Sequence, residues 1–168
     1  SDLADVKSPK SEVFPFVEKV IAPSNKTYVS GELLTVQLDF SETMTVTGSP
    51  QVAVDIGGVT TFLNYSSGDK TSSLIFTHLI SPGDFDDDGI EIQPLAILNG
   101  GTIQDSSGNN ANLLLPAPLT PLVLIDAEVP TIESITLPSD GTYLFDELLS
   151  FTIHFSKVVN VTGIPKFG

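Results

Sequence analysis

The residues with the clearest chemical potential are the aspartates of the segment GDFDDDG, at positions 83–89. Asp84, Asp86 and Asp88 stand at alternate positions before Gly89, as in the first half of an oxygen-ligated calcium loop. The bidentate Glu that closes such a loop is replaced by Leu95. Because neighbouring carboxylates repel one another without a cation, we expect Ca²⁺ here, with a solvated acidic turn as the alternative. In both cases we expect the loop to lie outside the hydrophobic core.

A second acidic position lies in the segment QDSSGNN, at residues 104–110. Asp105 is a candidate to complete the calcium ligands, since a carboxylate is a preferred calcium ligand. The alternative is an Asx-type turn in which Gly108 adopts a left-handed conformation. The pattern by itself leaves both interpretations open.

Residues that could carry catalysis are scarce. The two histidines are His78, in phase with Leu74 and Phe76 on an expected strand, and His154, on the outward phase of its strand. Neither has a nucleophile or an orienting carboxylate that the sequence reveals. Motifs such as Gly-x-Ser-x-Gly or a phosphate loop are also missing from the sequence. We therefore expect structural histidines and a protein that is not an enzyme.

The elements that must position these residues are short β-strands. In LLTVQLDFS, apolar and polar residues alternate, which predicts a half-buried antiparallel strand. The residues predicted to face the core are Leu34, Val36, Leu38, Phe40, Leu74 and Phe76. Further strands are predicted at 16–22, 51–56, 59–65, 72–80, 90–92, 95–98 and 119–125. This number of strands in about 115 residues predicts an all-β, immunoglobulin-like Greek-key β-sandwich.

The chain also repeats itself. Residues 15–52 return as residues 130–167 at an offset of 115 positions, from Pro23 to Pro138. The identities include turn residues and core residues, which indicates a tandem array of domains. We expect an N-terminal extension at 1–14, a complete domain at 15–127 and, at 128–168, the first third of a second repeat. A third of a β-domain cannot bury its own apolar face, here Leu149, Phe151, Ile153 and Phe155.

Composition restricts the partners. The formal net charge is −14, which argues against nucleic acid and anionic membranes because both would repel the chain. The sequence has no Cys, which excludes disulfides and thiolate metal sites. It also has no apolar stretch of the length that direct membrane insertion requires. These features are typical of a secreted or extracellular β-protein that could bind calcium.

Five motifs occur in order over residues 16–130: a Thr-Tyr turn, FSETMTVTG, the acidic loop, DSSGN and the junction IDAEVP. In this order and spacing the chain resembles the Ig-like repeats of very large bacterial cell-surface proteins. These include repetitive adhesins and the cyanobacterial swimming-associated surface protein. The resemblance implies a calcium-stabilised rod, in which Asp126 of the junction would hold a second ion; a surface or turn residue is the alternative. The sequence departs from the family pattern at Met44, Asn25-Lys26 and Lys157.

The function that these observations favour is a stiff, non-enzymatic structural or adhesion module on the bacterial cell surface. Its partners would be neighbouring repeats or other protomers, and a host or surface receptor. Two alternatives stay open at this point. One is a subunit of a non-covalent fibre, in which residues 131–168 or 1–14 complete another protomer's sandwich by strand exchange. The other is a glycan-binding accessory module.

Overall fold

The computed structural model describes residues 14–116 and 118–166. The chain divides into two compact units, of which unit 1 ends at Ala127 and unit 2 begins at Glu128. The predicted N-terminal extension lies outside the described residues except for Phe14. The described residues form strands and loops without a helix, so they contain none that could cross a membrane.

Unit 1 is all-β in its described part. Its strands are β1 (Val17–Ile21), β2 (Lys26–Tyr28), β3 (Leu33–Thr47), β4 (Gln51–Ile56), β5 (Val59–Ser67), β6 (Thr71–Leu79), β7 (Phe85–Asp86), β8 (Glu91–Ile97), β9 (Thr102–Gln104) and β10 (Val123–Asp126). Unit 2 contains β11 (Ile132–Thr136) and β12 (Thr152–Phe155).

The strands of unit 1 form two sheets. The larger has the order β1-β3-β6-β5-β4-β8, with β9 paired to the end of β3, and the smaller has the order β2-β10-β7. Neighbouring strands are antiparallel except β2 and β10, which are parallel. Buried residues of both sheets belong to one hydrophobic core, which agrees with a β-sandwich.

The larger sheet curls, and one segment reaches both of its edges. At β8, the amide of Leu115 donates to the carbonyl of Pro94 at 2.8 Å. Beyond the start of β1, the amide of Asn112 donates to the carbonyl of Pro15 at 2.7 Å. The segment around 112–115 thus occupies hydrogen-bonding groups that an open edge would present to other chains.

Alternation along β3 has the predicted phase. Leu34, Val36 and Leu38 are fully buried, and Gln37 and Asp39 on the opposite face are half-buried. The other predicted core residues, Phe40, Leu74 and Phe76, are buried as well, so the predicted core is confirmed.

Strand β3 is longer than the sequence pattern suggests. Its pairing with β6 is irregular between Asp39 and Met44, and its end then pairs with β9. Met44 is fully buried and keeps the phase of Leu34, Val36, Leu38 and Phe40, whereas Glu42, at the position between Phe40 and Met44, is exposed.

Two predicted strand boundaries are wrong. The segments 90–92 and 95–98 are parts of one strand, β8, which continues through Pro94. Proline is tolerated there because β8 lies at the edge of the larger sheet, where its missing N–H breaks no central ladder. The strand predicted at 119–125 begins only at Val123, whose amide closes a turn onto the carbonyl of Thr120 at 3.1 Å.

Unit 2 reproduces the first hairpin of unit 1 in the same register. β11 pairs with β12 through Ile132↔Phe155, Ser134↔His154, Ile135↔Ile153 and Thr136↔Thr152. Each pair lies 115 positions after a β1–β3 pair: Val17↔Phe40, Lys19↔Asp39, Val20↔Leu38 and Ile21↔Gln37. Both hairpins also share an irregularity directly after their first pair.

The turns before β3 and β12 match at the level of single hydrogen bonds. In unit 1, the carboxylate of Glu32 accepts from the amide of Val29 at 2.9 Å. In unit 2, the carboxylate of Glu147 accepts from the amide of Leu144 at 2.6 Å. The residue before each glutamate has a positive φ, 86° at Gly31 and 70° at Asp146. The internal repeat is therefore a repeat of local structure as well as of sequence.

Candidate functional site at the acidic loop

The acidic loop, residues 83–89, begins in a tight turn after β6. The amide of Asp84 donates to the carbonyl of Ser81 at 3.1 Å, and the amide of Ser81 donates to the carboxylate of Asp84 at 2.8 Å. Gly83 between them has a φ of 98°, a conformation that favours glycine. The Asp84 carboxylate thus has a structural partner in its own turn.

Asp86 is the most deeply placed carboxylate of the loop. It is only 3% exposed, and its Oδ2 accepts a hydrogen bond from the amide of Gly57 at 2.8 Å. Its Oδ1 accepts from the amide of Gly89 at 2.7 Å. The carboxylate therefore joins the β4–β5 hairpin turn to the acidic loop. The prediction that the loop lies outside the core is wrong for Asp86, because these two amides provide the polar partners that burial requires.

Glycine at the two donor positions has a steric reason. A Cβ on Gly57 would lie 2.2 Å from the carbonyl oxygen of Phe85, and one on Gly89 would lie 2.5 Å from that of Thr120. Both glycines also have positive φ, 56° and 103°. The close approach of backbone to backbone is what brings each amide to the Asp86 carboxylate.

Backbone hydrogen bonds join the end of unit 1 to the acidic loop. Strand β7 of the loop pairs with β10. Beyond β10, the carbonyl of Ala127 accepts a hydrogen bond from the amide of Gly83 at 2.8 Å, and the amide of Ala127 donates to the carbonyl of Asp84 at 2.9 Å. Asp126 is paired with Phe85, whereas Asp86 is paired with Ile125. Because successive residues of a strand point to opposite faces, the Asp126 and Asp86 side chains leave the β7–β10 pair on opposite sides.

The other residues of the loop face solvent to different degrees. Asp87 and Asp88 are exposed, and Asp84 is half-buried. His78 approaches Asp84, with 3.9 Å between the imidazole Nε2 and the carboxylate Oδ2. This distance exceeds that of a hydrogen bond, so the pair lacks the geometry of an oriented general base. In unit 2, His154 Nε2 lies 3.1 Å from the hydroxyl of Thr136.

Asp105 stands in a separate loop and forms the Asx-type turn. Its Oδ1 accepts from the amides of Ser107 and Asn109, both at 2.8 Å, and its Oδ2 accepts from the side-chain amide of Asn109 at 2.7 Å. Gly108 has a φ of 84°. Although desolvation acts to raise the pKa of Asp105, the hydrogen bonds from Asn109, Ser107 and Gly108 outweigh it and lower that pKa.

The structure thus brings the acidic loop and Asp126 onto neighbouring strands and leaves Asp105 in another turn. Within residues 14–116 and 118–166, no group of three or more His, Cys, Asp or Glu side chains is arranged to hold a metal ion. Calcium binding through Asp84, Asp86, Asp88, Asp105 and Asp126 stays a prediction. Sequence reasoning missed the amide of Gly57 as a partner of Asp86; the Gly57-Gly58 turn was its only local signal.

Comparisons with protein-family models, with curated proteins and with solved structures find no match to this chain.

Proposed function

We propose that this chain is part of a tandem array of immunoglobulin-like Greek-key β-sandwich domains, whose repeats act as stiff, non-enzymatic structural or adhesion modules of a bacterial surface protein. The observation that carries the proposal is the β11–β12 hairpin, which repeats the register and the irregularity of the β1–β3 hairpin at an offset of 115 positions. An offset of domain size, conserved in both sequence and hydrogen bonding, is typical of repeats that act through their number and arrangement.

The junction supports stiffness. The backbone of Ala127 is held in unit 1 by two hydrogen bonds to the acidic loop. Thr131 is already held in unit 2, where its amide donates to the hydroxyl of Ser156 at 2.9 Å. Only residues 128–130 lie between these anchored positions, and a segment of that length with a proline at 130 cannot act as a flexible tether.

The charge and the acidic loop suggest the environment and the partners. A net charge of −14 without cysteine suits an extracellular protein that meets divalent cations, with Ca²⁺ as its cofactor. The partners are neighbouring repeats or other protomers, and a host or surface receptor, rather than nucleic acid or the membrane interior. Asp87 and Asp88 are the exposed carboxylates at which an ion would enter the loop.

Small-angle X-ray scattering on chains with one, two and three copies of residues 15–129, the 115-residue period, tests the extension role. A domain of this size is about 35 Å across, so the maximum dimension is expected to grow by at least about 35 Å with each copy. The matched control carries about ten Gly and Ser residues between positions 127 and 128, which gives a flexible joint. If the natural joint is no more extended than this control, the extension role is rejected.

A further inference from the structure

In unit 1, an aromatic ring and a carboxylate together hold the ammonium group of Lys26. The Nζ atom lies 4.4 Å from the centre of the Tyr28 ring. It also donates to Oε1 of Glu32 at 2.5 Å, while Oε2 of the same carboxylate accepts from the amide of Val29. The Lys26 and Glu32 side chains are 44% and 36% exposed, so the ammonium lies at the surface of unit 1. A carboxylate beside an aromatic face is a favourable environment for a cation.

Unit 2 repeats the ring and the carboxylate but not the lysine. Tyr143 and Glu147 stand 115 positions after the ring and the carboxylate of unit 1, and Gly141 stands 115 positions after the lysine. These three residues line one pocket of unit 2. The hydroxyl of Tyr143 donates to the carbonyl of Ser139 at 2.7 Å, which fixes the position of the ring. Unit 2 thus has the two groups that hold an ammonium and no side chain that supplies one from the equivalent position.

The carboxylate of Glu147 is oriented for this role. Its Oε2 accepts from the amide of Leu144 at 2.6 Å, as Oε2 of Glu32 does in unit 1. Within residues 14–116 and 118–166, no donor reaches Oε1 of Glu147, whereas Lys26 reaches Oε1 of Glu32. One oxygen is therefore used by the turn, and the other is available to a ligand.

The charge of the pocket indicates the class of ligand. In unit 1, the charges of Lys26 and Glu32 cancel, and the residue before the lysine is the neutral Asn25. In unit 2, the corresponding charged residues are Asp140 and Glu147, both negative. Ca²⁺ takes six to eight oxygen ligands, and the described residues contain no group of three or more acidic or histidine side chains arranged for a metal. Two carboxylates and a ring suit an organic ammonium better.

We propose that this pocket of unit 2 binds the side chain of a lysine from a partner protein, in the position that Lys26 occupies in unit 1. The ammonium donates to Oε1 of Glu147 and lies over the ring of Tyr143, and Leu148 of the pocket contacts the methylene groups. A partner with exposed lysines also complements the net charge of −14. Because the equivalent position in unit 1 is at the surface although the core there is covered, the site does not depend on what covers the apolar face of unit 2.

The test is an NMR titration of the whole ¹⁵N-labelled chain with Nα-acetyl-lysine methylamide, in the presence of a calcium chelator. The reporter is the amide of Leu144, which donates to Glu147, and the internal control is the equivalent amide of Val29 in unit 1. We expect saturable shifts at Leu144 with a dissociation constant in the millimolar range, typical of so small a ligand, and none at Val29. The Nε-acetylated derivative has no charge and should not bind.

Two substitutions exchange the properties of the two units. Gly141→Lys should supply the ammonium from within the chain and abolish binding. The side chain fits, because a Cβ at Gly141 would meet nothing within 4 Å. Lys26→Gly should open the equivalent site in unit 1, so that the amide of Val29 now responds to the ligand. This second variant keeps the test valid if Gly141→Lys disturbs the turn of unit 2.

Two further variants separate a defined site from general attraction to negative charge. Glu147→Gln keeps an oxygen for the amide of Leu144 but loses the charge, and it should weaken binding at least about fivefold. Asp140→Asn removes the same charge from the pocket and introduces the residue type of unit 1, and it should weaken binding less than about twofold at 0.15 M salt. Equal losses in the two variants would overturn the proposal.

Three other results would also overturn it: no saturation at tens of millimolar ligand, undiminished binding to Gly141→Lys, or a silent Val29 amide in Lys26→Gly. Putrescine that binds more than about tenfold tighter than the lysine derivative would assign the pocket to a free amine and would overturn it as well. The inference uses the repeated turn and not the stiffness of the joint. A joint no stiffer than the flexible control therefore rejects the extension role and leaves the lysine site standing.

Discussion

Replacement of Asp86 by asparagine tests whether the buried carboxylate holds the end of unit 1 together. The substitution keeps the size of the side chain but leaves one oxygen, so only one of the amides of Gly57 and Gly89 keeps its acceptor. The other amide then faces an NH₂ group. A hydrogen bond to a charged group contributes about 1.5–3 kcal/mol, and we expect the free energy of unfolding to fall by about that amount. Asp86→Ala removes both acceptors and should cost about 3–5 kcal/mol.

The measurement is urea unfolding of the whole chain, followed by a signal from unit 1. With a slope of about 1–3 kcal/mol per molar urea, Asp86→Asn should lower the midpoint by about 1 M. The matched control is Asp88→Asn, which removes the same charge from an exposed position and should change stability by less than about 0.5 kcal/mol. Equal midpoints for the two variants would refute the assignment of Asp86 as a structural clamp.

Three further predictions concern the same region and the Asp105 turn. Gly57→Ala should lower the free energy of unfolding, measured in urea, by about 2 kcal/mol or more, because the new Cβ would meet the carbonyl of Phe85. The control is Gly58→Ala, where the Cβ would meet open space and only the positive φ of 84° is unfavourable, so the cost should be about 1 kcal/mol. Equal costs for the two variants would contradict the steric argument. Because the folded-state pKa of Asp105 is lowered, its contribution to stability is present above the unfolded pKa of about 3.9 and is lost as pH falls through the folded pKa. Below about pH 4, the urea midpoint of Asp105→Asn should therefore change less steeply with pH than that of the unsubstituted protein. The same dependence of the midpoint on pH in both proteins would contradict this. Calcium should raise the melting temperature relative to chelator, and Asp88→Asn should reduce that rise; an equal melting temperature with and without millimolar Ca²⁺ would leave only the solvated acidic turn.

The strand pattern was predictable wherever one face of a strand is buried. β4 has the predicted bounds, 51–56, and the alternation in LLTVQLDFS identified four inward residues of β3 correctly, although it did not extend to the buried Met44. The short strands β2, β7 and β9 escaped prediction, since two or three residues are too few to show a period of two. Their strand geometry is imposed by the neighbours with which they pair.

The candidate site was predictable in composition and less so in arrangement. The spacing of the aspartates identified the acidic loop, and QDSSGNN correctly suggested an Asx turn at Asp105. The role of Asp86 depends on an amide 29 residues earlier in the chain, at Gly57, which local spacing cannot reveal. A carboxylate that binds an ion and one that accepts two buried amides have the same sequence signature.

The sequence by itself determined the features that depend on neighbouring residues or on repetition. These are the inward and outward phases of the strands, the glycine turns and the offset of 115 positions, because side-chain alternation and backbone φ preferences act locally. Tertiary structure decided which strands are neighbours, including the parallel pairing of β10 with β2. It also decided that Asp86 is buried while Asp88, two residues later, stays in solvent. Burial depends on distant segments that cover a residue, and only folding brings those segments together.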